Sequence, residues 1–510
     1  MTPFHVLEHL GHWAQHHTTL VLSVVGAGMA VMLVTNLLWR RRSLHLTTHG
    51  SARWATPREV ARAGFSTRHG VVVGEVGTVI YGDDRDTHCA LFGPTRSGKG
   101  NFHLVPTLRW LWRQSALITD PKNGENYRKT GAARRQYGRV EVFAPYAFPG
   151  TTCAINVCDS IQWQRAREFG DALAIGTSLT APEKMKNETE TTTHFRQLAG
   201  MLLAASQLHV WYTTGACSLA RVWHFLTQRP GKTEGRELLE TLKEMRTTQH
   251  VSGGVHEAIG TITNAIANIS GERELGSIWS TAIRPLILYN DPYVARATDT
   301  STLDLRDLQH GPVPLSLYLL APSPAEVATR LYPVYRVILE VAMRVLMERI
   351  GTAQPEDYGH RLLLCLDELP IYGYIPTLDG QVATMAGYGM KGLFVAQDLP
   401  MLETTYGEEN ALWGNTACKL FHAPTNDLTA KRISENFLGR MTVEVPVISQ
   451  GRGGRTVSLQ HIGRPLLTPD EVQDLDPRLG IARLSGEGLK PFLFRKLGYI
   501  AHYKEETRTA

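Results

Sequence analysis

Gly93-Pro94-Thr95-Arg96-Ser97-Gly98-Lys99-Gly100-Asn101, entered from Cys89-Ala90-Leu91-Phe92, is the stretch that decides the fold. An apolar run ends in a glycine-framed turn carrying a lysine, and a new segment opens with Phe102-His103-Leu104. That order predicts strand, loop, helix. In such a loop the glycines let backbone N–H groups converge on phosphate, and the helix N-terminus adds partial positive charge. Lys99 then serves as a mobile point charge for the β- and γ-phosphates. The predicted nucleotide-binding residues are Gly93 through Asn101. At the position after the lysine, where a P-loop carries Ser or Thr, this chain has Gly100. No hydroxyl is offered there to magnesium, so water or another side chain must fill that coordination position.

A second motif lies downstream, in Arg361-Leu362-Leu363-Leu364-Cys365-Leu366-Asp367-Glu368. Five apolar residues followed by two acids predict a buried parallel strand that delivers its carboxylates to the C-terminal edge of a sheet. Asp367 suits the outer shell of magnesium, and Glu368 suits the base that polarises an attacking water. Gln397, at the end of a later strand, is the candidate for positioning the attacking water or sensing γ-phosphate, beside the plain reading of a polar residue that closes a strand. The cofactors expected from these motifs are ATP and Mg2+.

A chain of 510 residues, 43% hydrophobic and 20% charged, is an ordinary globular composition with room for two or three domains, not a disordered chain. The net charge of +5 is compatible with nucleic acid or an anionic membrane surface and selects neither. The six cysteines are scattered without a C-x-x-C pair, so they read as reduced, buried small hydrophobes, and no zinc site is predicted.

Thr19 to Trp39 carries no charge and is followed at once by Arg40-Arg41-Arg42. A bilayer needs about 20 apolar residues, and the basic end of a span stays cytoplasmic. The expectation is one transmembrane helix at 19–39, with the bulk of the chain in the cytoplasm. Basic residues after rather than before the run argue against a cleaved signal peptide. Ahead of the span His5, His9, His12 and His16 fall on one helical face. A metal site and a plain amphipathic surface helix both fit that spacing, and the second is the simpler.

From Gly50 onward strand and helix patterns alternate. Gly70–Tyr81 predicts a small hairpin. Strands are expected near 117–120, 140–144, 314–320, 362–366, 392–396 and 419–422. Residues 162–270 read as helical throughout, an all-α insertion in an α/β domain. The predicted organisation is a membrane anchor (1–43), a nucleotide-binding domain in two parts (44–161 and 271–510) and the inserted all-α domain (162–270). The fold class is α/β: a P-loop, RecA/FtsK-like domain with a parallel doubly wound sheet.

These motifs together resemble the type IV coupling proteins, the TraG-like conjugal transfer ATPases of bacterial type IV secretion. GPTRSGKG, including Gly100, is similar to the P-loop of the TraG branch. Asp120-Pro121-Lys122-Asn123-Gly124-Glu125 resembles the family's DPKGE-type segment, and Asp367-Glu368 its Walker B pair. Gly387 to Gln397 looks like the family's next strand with its sensor glutamine. Gly414–Ala417, Asn436–Arg440 and Arg464–Leu467 resemble its C-terminal blocks. The resemblance implies a homo-oligomeric ring, a hexamer, at the inner-membrane mouth of a secretion channel. Its implied partners are the channel proteins, a relaxase and single-stranded DNA. It also implies a cation supplied in trans, for which Lys391 and Arg284 are the candidates beside the plain reading of solvated surface charges. Family members usually carry two spans, and one is visible here.

Two other functions fit parts of the pattern. One is a motor for double-stranded DNA, which needs a C-terminal DNA-reading module longer than 491–510. The other is a substrate receptor that uses nucleotide structurally, against which Lys99, Asp367 and Glu368 all argue.

Overall fold

Aliphatic runs flanked by glycine and polar turn residues form the strands of this chain, and the arrangement follows from which runs are buried on both faces. The computed structural model describes residues 32, 47–146, 153–181, 189–227, 238–269, 271–348, 358–451 and 454–499. The predicted span at 19–39 (save Met32), the histidines of 5–16 and Arg40–Arg42 lie outside the described residues. Among the described residues no helix is long and apolar enough to cross a membrane.

The strands are β1 (Val71–Val76), β2 (Val79–Asp83), β3 (His88–Phe92), β4 (Ser115–Asp120), β5 (Arg139–Phe143), β6 (Leu315–Leu320), β7 (Leu362–Leu366), β8 (Met390–Ala396), β9 (Thr416–Phe421), β10 (Arg440–Gly451), β11 (Gly454–Pro465), β12 (Leu479–Leu484) and β13 (Phe492–Arg495). The described residues fall in two compact units, one drawn from Met1–Arg53 and Ser434–Thr468, the other from Trp54–Ile433 and Pro469–Ala510.

The larger unit is built on an 11-stranded sheet ordered β2-β1-β13-β12-β9-β3-β8-β7-β4-β6-β5. From β9 to β5 every neighbour is parallel. Strands β3, β4, β6, β7 and β8 are buried at every position, as strands covered on both faces must be. Leu91, Ile118, Leu363, Leu393 and Val395 belong to that core.

The expected wholly parallel sheet is corrected at one edge, because β12, β13, β1 and β2 continue it antiparallel. Within this edge β1–β2 and β12–β13 are joined by short connections, which suffice because antiparallel neighbours need no crossover. The predicted hairpin at Gly70–Tyr81 is β1–β2, turned at Gly77 with φ 68°.

Between β5 and β6 the chain runs helix after helix. Following α1 (Glu125–Arg134), these include α2 (Glu168–Thr180), α3 (Glu190–Thr214), α4 (Leu219–Thr227), α5 (Leu238–Thr247), α6 (Glu257–Ala267) and α7 (Glu272–Leu286). Helices α2 and α3 touch backbone to backbone: a Cβ on Gly176 would stand 2.3 Å from the Gly200 carbonyl oxygen. The helical run continues past residue 270, and α7 packs on α3. Helix α8 (Ala325–Met347) then leads from β6 back toward β7 and packs against α2.

In the smaller unit β10 and β11 form a hairpin registered from Arg440↔Pro465 to Gly451↔Gly454. Ser51 bridges Met441 at its base, and the His49 amide donates to Thr442 Oγ1 at 2.9 Å.

Candidate nucleotide site

Parallel strands carry their C-terminal ends to one edge of the sheet, and β3, β8 and β7 bring three of the predicted elements there side by side. β8 lies between the loop strand β3 and the acid strand β7. The Gly93 amide donates to the Ala396 carbonyl at 3.3 Å, tying the loop to the end of β8. Gln397, half-buried, is the next residue.

The loop is shaped by its glycines. Arg96 and Gly98 have φ of 64° and 90°. A Cβ on Gly98 would stand 2.0 Å from Phe102 Cε2, and one on Gly498 would stand 1.9 Å from Phe102 Cε1. The Phe102 ring therefore fits between two glycines, one in the loop and one near the C-terminus. Two wide helical turns, Gly100–Leu104 and Thr107–Leu111, follow the loop. Pro94 is half-buried, and Thr95 and Arg96 are exposed at its rim.

Lys99 is buried and donates to the Gly93 carbonyl at 2.5 Å and to the Pro94 carbonyl at 3.3 Å. Its Nζ lies 3.6 Å from Glu368 Oε1. Burial pulls the Lys99 pKa down, with Glu368 working in the opposite direction. Glu368 itself sits at φ 54°, a left-handed conformation that a side chain adopts only at a cost.

Asp367 is fully enclosed, which raises its pKa. Its Oδ2 accepts from Asn126 Nδ2 at 3.2 Å, and Thr119 Oγ1 donates to its backbone carbonyl at 3.1 Å. The segment after β4 closes this side of the site. Asn123 (φ 52°) and Gly124 (φ 76°) turn the chain into α1. Asp120 Oδ2 accepts from the Tyr127 amide at 2.9 Å, and burial pushes its pKa up to about 6. Lys122, on the same turn, reaches to 3.7 Å from Glu368 Oε1 and 4.0 Å from Asp367 Oδ2.

Lys122 and Asn126 are functional candidates that residue-by-residue reading missed. The family-type segment Asp120–Glu125 was the available signal for the first, and Asn126 is the next residue. Asn101, at the end of the predicted loop set, is exposed and accepts from Lys129 Nζ at 2.7 Å.

A buried histidine pair underlies the loop. His422 Nδ1 is 3.1 Å from Ser97 Oγ, and its Nε2 is 3.0 Å from His103 Nε2. His103 Nδ1 is in turn 3.0 Å from the Val72 carbonyl oxygen. Burial lowers both pKa values, that of His103 to about 4.

Lys391 is not brought to this edge, and the expectation that it acts across a subunit boundary is corrected. It occupies the opposite end of β8, is 1% exposed, and donates to the Arg85 and Thr87 carbonyls at 2.7 and 2.5 Å. Its Nζ lies 3.4 Å from Asp83 Oδ2. Burial alone would raise the Asp83 pKa, but Lys391 and Arg85 hold it below the usual value. This cation neutralises a buried acid and is not exposed to a neighbour. Asp83 also groups with Cys89 and Cys418, all buried, but its two cations already offset its charge. Arg284 is exposed on α7.

The donor set fits magnesium. Asp367 Oδ1, Glu368 Oε2 and Asp120 Oδ1 are buried without a hydrogen-bond partner among the described residues, and buried carboxylate oxygens of that kind call for a cation or water. Asp367 and Asp120 are the residues placed to hold the metal's water shell. Bound there, magnesium supplies charge neutralisation to a polyphosphate.

The chain matches known proteins over most of its length. A family model described as type IV secretory system conjugative DNA transfer matches residues 53–509. The conjugal transfer protein TraG of Escherichia coli is 31% identical over 519 residues, covering 92% of this chain and 79% of that protein. Protein VirD4 of Rhizobium rhizogenes is 26% identical over 499 residues, covering 94% and 69%. Among solved structures, the plasmid coupling protein TrwB in complex with ADP and Mg2+ superposes with a TM-score of 0.61, covering 87% of this chain and 93% of that one. At 17% identity that likeness establishes the shared α/β fold.

Proposed function

Because the chain belongs to the type IV secretory conjugative DNA transfer family, the coupling proteins of type IV secretion, we propose that it hydrolyses ATP with Mg2+ at the loop of Gly93–Asn101 to drive substrate transfer. The observation that carries this reading is the convergence of Lys99 on Glu368 at 3.6 Å. A scaffold that used nucleotide only to hold its shape has no need of a base beside the phosphate-binding lysine.

Each residue has a part in the proposed reaction. Backbone amides of the loop and Lys99 hold the β- and γ-phosphates. Glu368 accepts a proton from the water that attacks the γ-phosphorus; the bond to the β–γ bridging oxygen breaks, giving ADP and phosphate. Gln397, between the loop and the acid strand, orients that water. Asp367, fixed by Asn126 and Thr119, faces the metal.

The proposed cargo is single-stranded DNA joined to a relaxase, or a secreted protein, passed to the channel by a homo-oligomeric ring, a hexamer. Membership in the DNA-transfer family supports the cargo. The uncharged run 19–39 followed by Arg40–Arg42 supports an inner-membrane position with the remainder cytoplasmic. A reporter fused after Ala510 is expected to behave as cytoplasmic, and a periplasmic signal overturns that topology.

The test of the chemistry is turnover by the full chain in lipid discs. Glu368→Gln is expected to lower ATP turnover by about 100-fold or more while still binding nucleotide, because only the base is lost. Lys99→Ala is expected to lose both. Turnover of Glu368→Gln within a few-fold of the unaltered chain sinks the assignment.

A further inference from the structure

We infer that Asn126 supplies the magnesium ligand that Gly100 lacks. The inference deepens the reading of an ATP- and Mg2+-binding site and rests on it. A P-loop ordinarily presents a Ser or Thr hydroxyl to the metal from the position after its lysine. Here that position is a glycine, and the structure shows what stands in front of it. Among the described residues, and apart from the chain neighbours and helix backbone of Gly100 itself, the heavy atom within 4 Å of a Cβ built there is Asn126 Oδ1, at 3.9 Å. The amide oxygen thus occupies the neighbourhood into which a hydroxyl at position 100 would project.

The rest of the side chain is fixed for the role. Asn126 is 4% exposed and lies in the first turn of α1, behind Gly124 in its left-handed conformation. Its Nδ2 donates to Asp367 Oδ2 at 3.2 Å, so the carboxamide bridges the acid strand and the phosphate loop. With the NH2 group committed to Asp367, the oxygen is the end directed at Gly100. Thr130 Oγ1 donates to the Asn126 carbonyl at 2.7 Å and links this turn to the next. A neutral amide oxygen is a hard ligand that magnesium accepts. It also adds no negative charge beside the buried carboxylates of Asp120 and Asp367. A carbon-only side chain at 126 would leave the metal with water alone on the loop side.

The test separates a ligand from a mere support for Asp367, since removing a residue that only orients a ligand also weakens metal binding, by about 10- to 100-fold. Binding of a fluorescent ADP analogue to the full chain is measured with and without Mg2+, and bound Mn2+ is followed by its electron paramagnetic resonance spectrum. In the unaltered chain Mg2+ is expected to tighten the analogue by about 10-fold or more. Asn126→Ala is expected to abolish that tightening while metal-free affinity stays within about 2-fold.

Asn126→Asp is the discriminating variant. It keeps an oxygen facing Gly100 and loses the donor to Asp367, so a ligand role predicts that Mg2+ still tightens binding and the Mn2+ spectrum still changes. A supporting role predicts that it behaves like Asn126→Ala. Gly100→Ser placed on Asn126→Ala is expected to restore the metal effect, because the hydroxyl returns from the loop side. Failure of that rescue, or identical behaviour of the Asp and Ala variants, overturns the inference. If Asn126→Ala does not fold, the Asp variant alone decides. An unaltered chain that binds no nucleotide, with or without metal, refutes the ATP reading instead.

Discussion

His103 and His422 meet Nε2 to Nε2 at 3.0 Å beneath the phosphate loop, so one ring donates and the other accepts. His103 Nδ1 donates to the Val72 carbonyl, so its Nε2 accepts from His422, and protonating His103 would set two N–H groups against each other in a buried place. Burial accordingly lowers the His103 pKa from 6.5 to about 4. Above pH 6.5 both folded and unfolded chains keep this ring neutral and it contributes no pH dependence. As pH falls from 6.5 toward 4 the unfolded chain takes up a proton that the folded chain refuses, and stability falls, by about 3 kcal/mol at the low end.

Asp120 and Glu340, with pKa values raised to about 6 and about 7, act with the opposite sign. The difference between the unaltered chain and His103→Phe isolates the histidine. Urea midpoints measured from pH 7 to 4.5 are expected to converge as the pH falls, and a constant difference across that range rejects the mechanism.

Gly498 receives one side of the Phe102 ring as Gly98 receives the other. Gly498→Ala forces that ring toward the loop without altering any loop residue. A cost of about 1–3 kcal/mol is expected from overpacking, with weaker nucleotide binding because the Gly98 side has no room to yield. Thermal melting and binding of a fluorescent ADP analogue read the two effects separately. A lower melting temperature with unchanged affinity would show that Phe102 does not transmit strain to the loop.

Lys391→Met removes one of the two cations that face the buried acid Asp83 and leaves Arg85 as the other. The expected result is a loss of about 3 kcal/mol in stability, since the acid is left under-compensated. Turnover per folded subunit is expected to be unchanged, and mixing the variant with unaltered subunits is expected only to dilute. Poisoning of unaltered sites beyond dilution would return Lys391 to the active site.

The misplacement of Lys391 shows where the reading of the sequence reached its limit. Lys99, Asp367, Glu368 and Gln397 were legible because each ends or follows an apolar run, and parallel strands send all such ends to one edge. Lys391 precedes Gln397 by six positions in the sequence, which in a strand is about 20 Å and the opposite end of the sheet's strands. The contacts of Asn126 with Asp367 and of His103 with His422 join residues 241 and 319 apart, and no local pattern marks them. Strand β12 was missed because Gly480 and Arg483 interrupt its apolar run, and β13 because it is only 4 residues long; they make the sheet mixed by pairing antiparallel beyond β9. The hairpin β10–β11 was missed because Pro446 and the glycine-rich turn read as loop.

Two lysines face one carboxylate oxygen: Lys99 lies 3.6 Å and Lys122 3.7 Å from Glu368 Oε1. They differ in burial, since the Lys99 side chain is 4% exposed and that of Lys122 is 45% exposed. The buried lysine is fixed by the loop carbonyls it bonds, whereas the exposed one is free to follow charge. As charge builds on the γ-phosphoryl oxygens during its transfer, a mobile cation on the β4 turn stabilises that state more than the bound substrate. Lys122→Ala is therefore expected to lower kcat by about 10- to 100-fold with a smaller change in KM. The effect should largely vanish when Lys122→Ala is placed on Glu368→Gln, because groups that act as a unit are not additive. Steady-state kinetics of the four proteins of that cycle measure the coupling. A loss confined to KM would make Lys122 an ordinary phosphate-binding residue, and fully additive losses would separate it from Glu368.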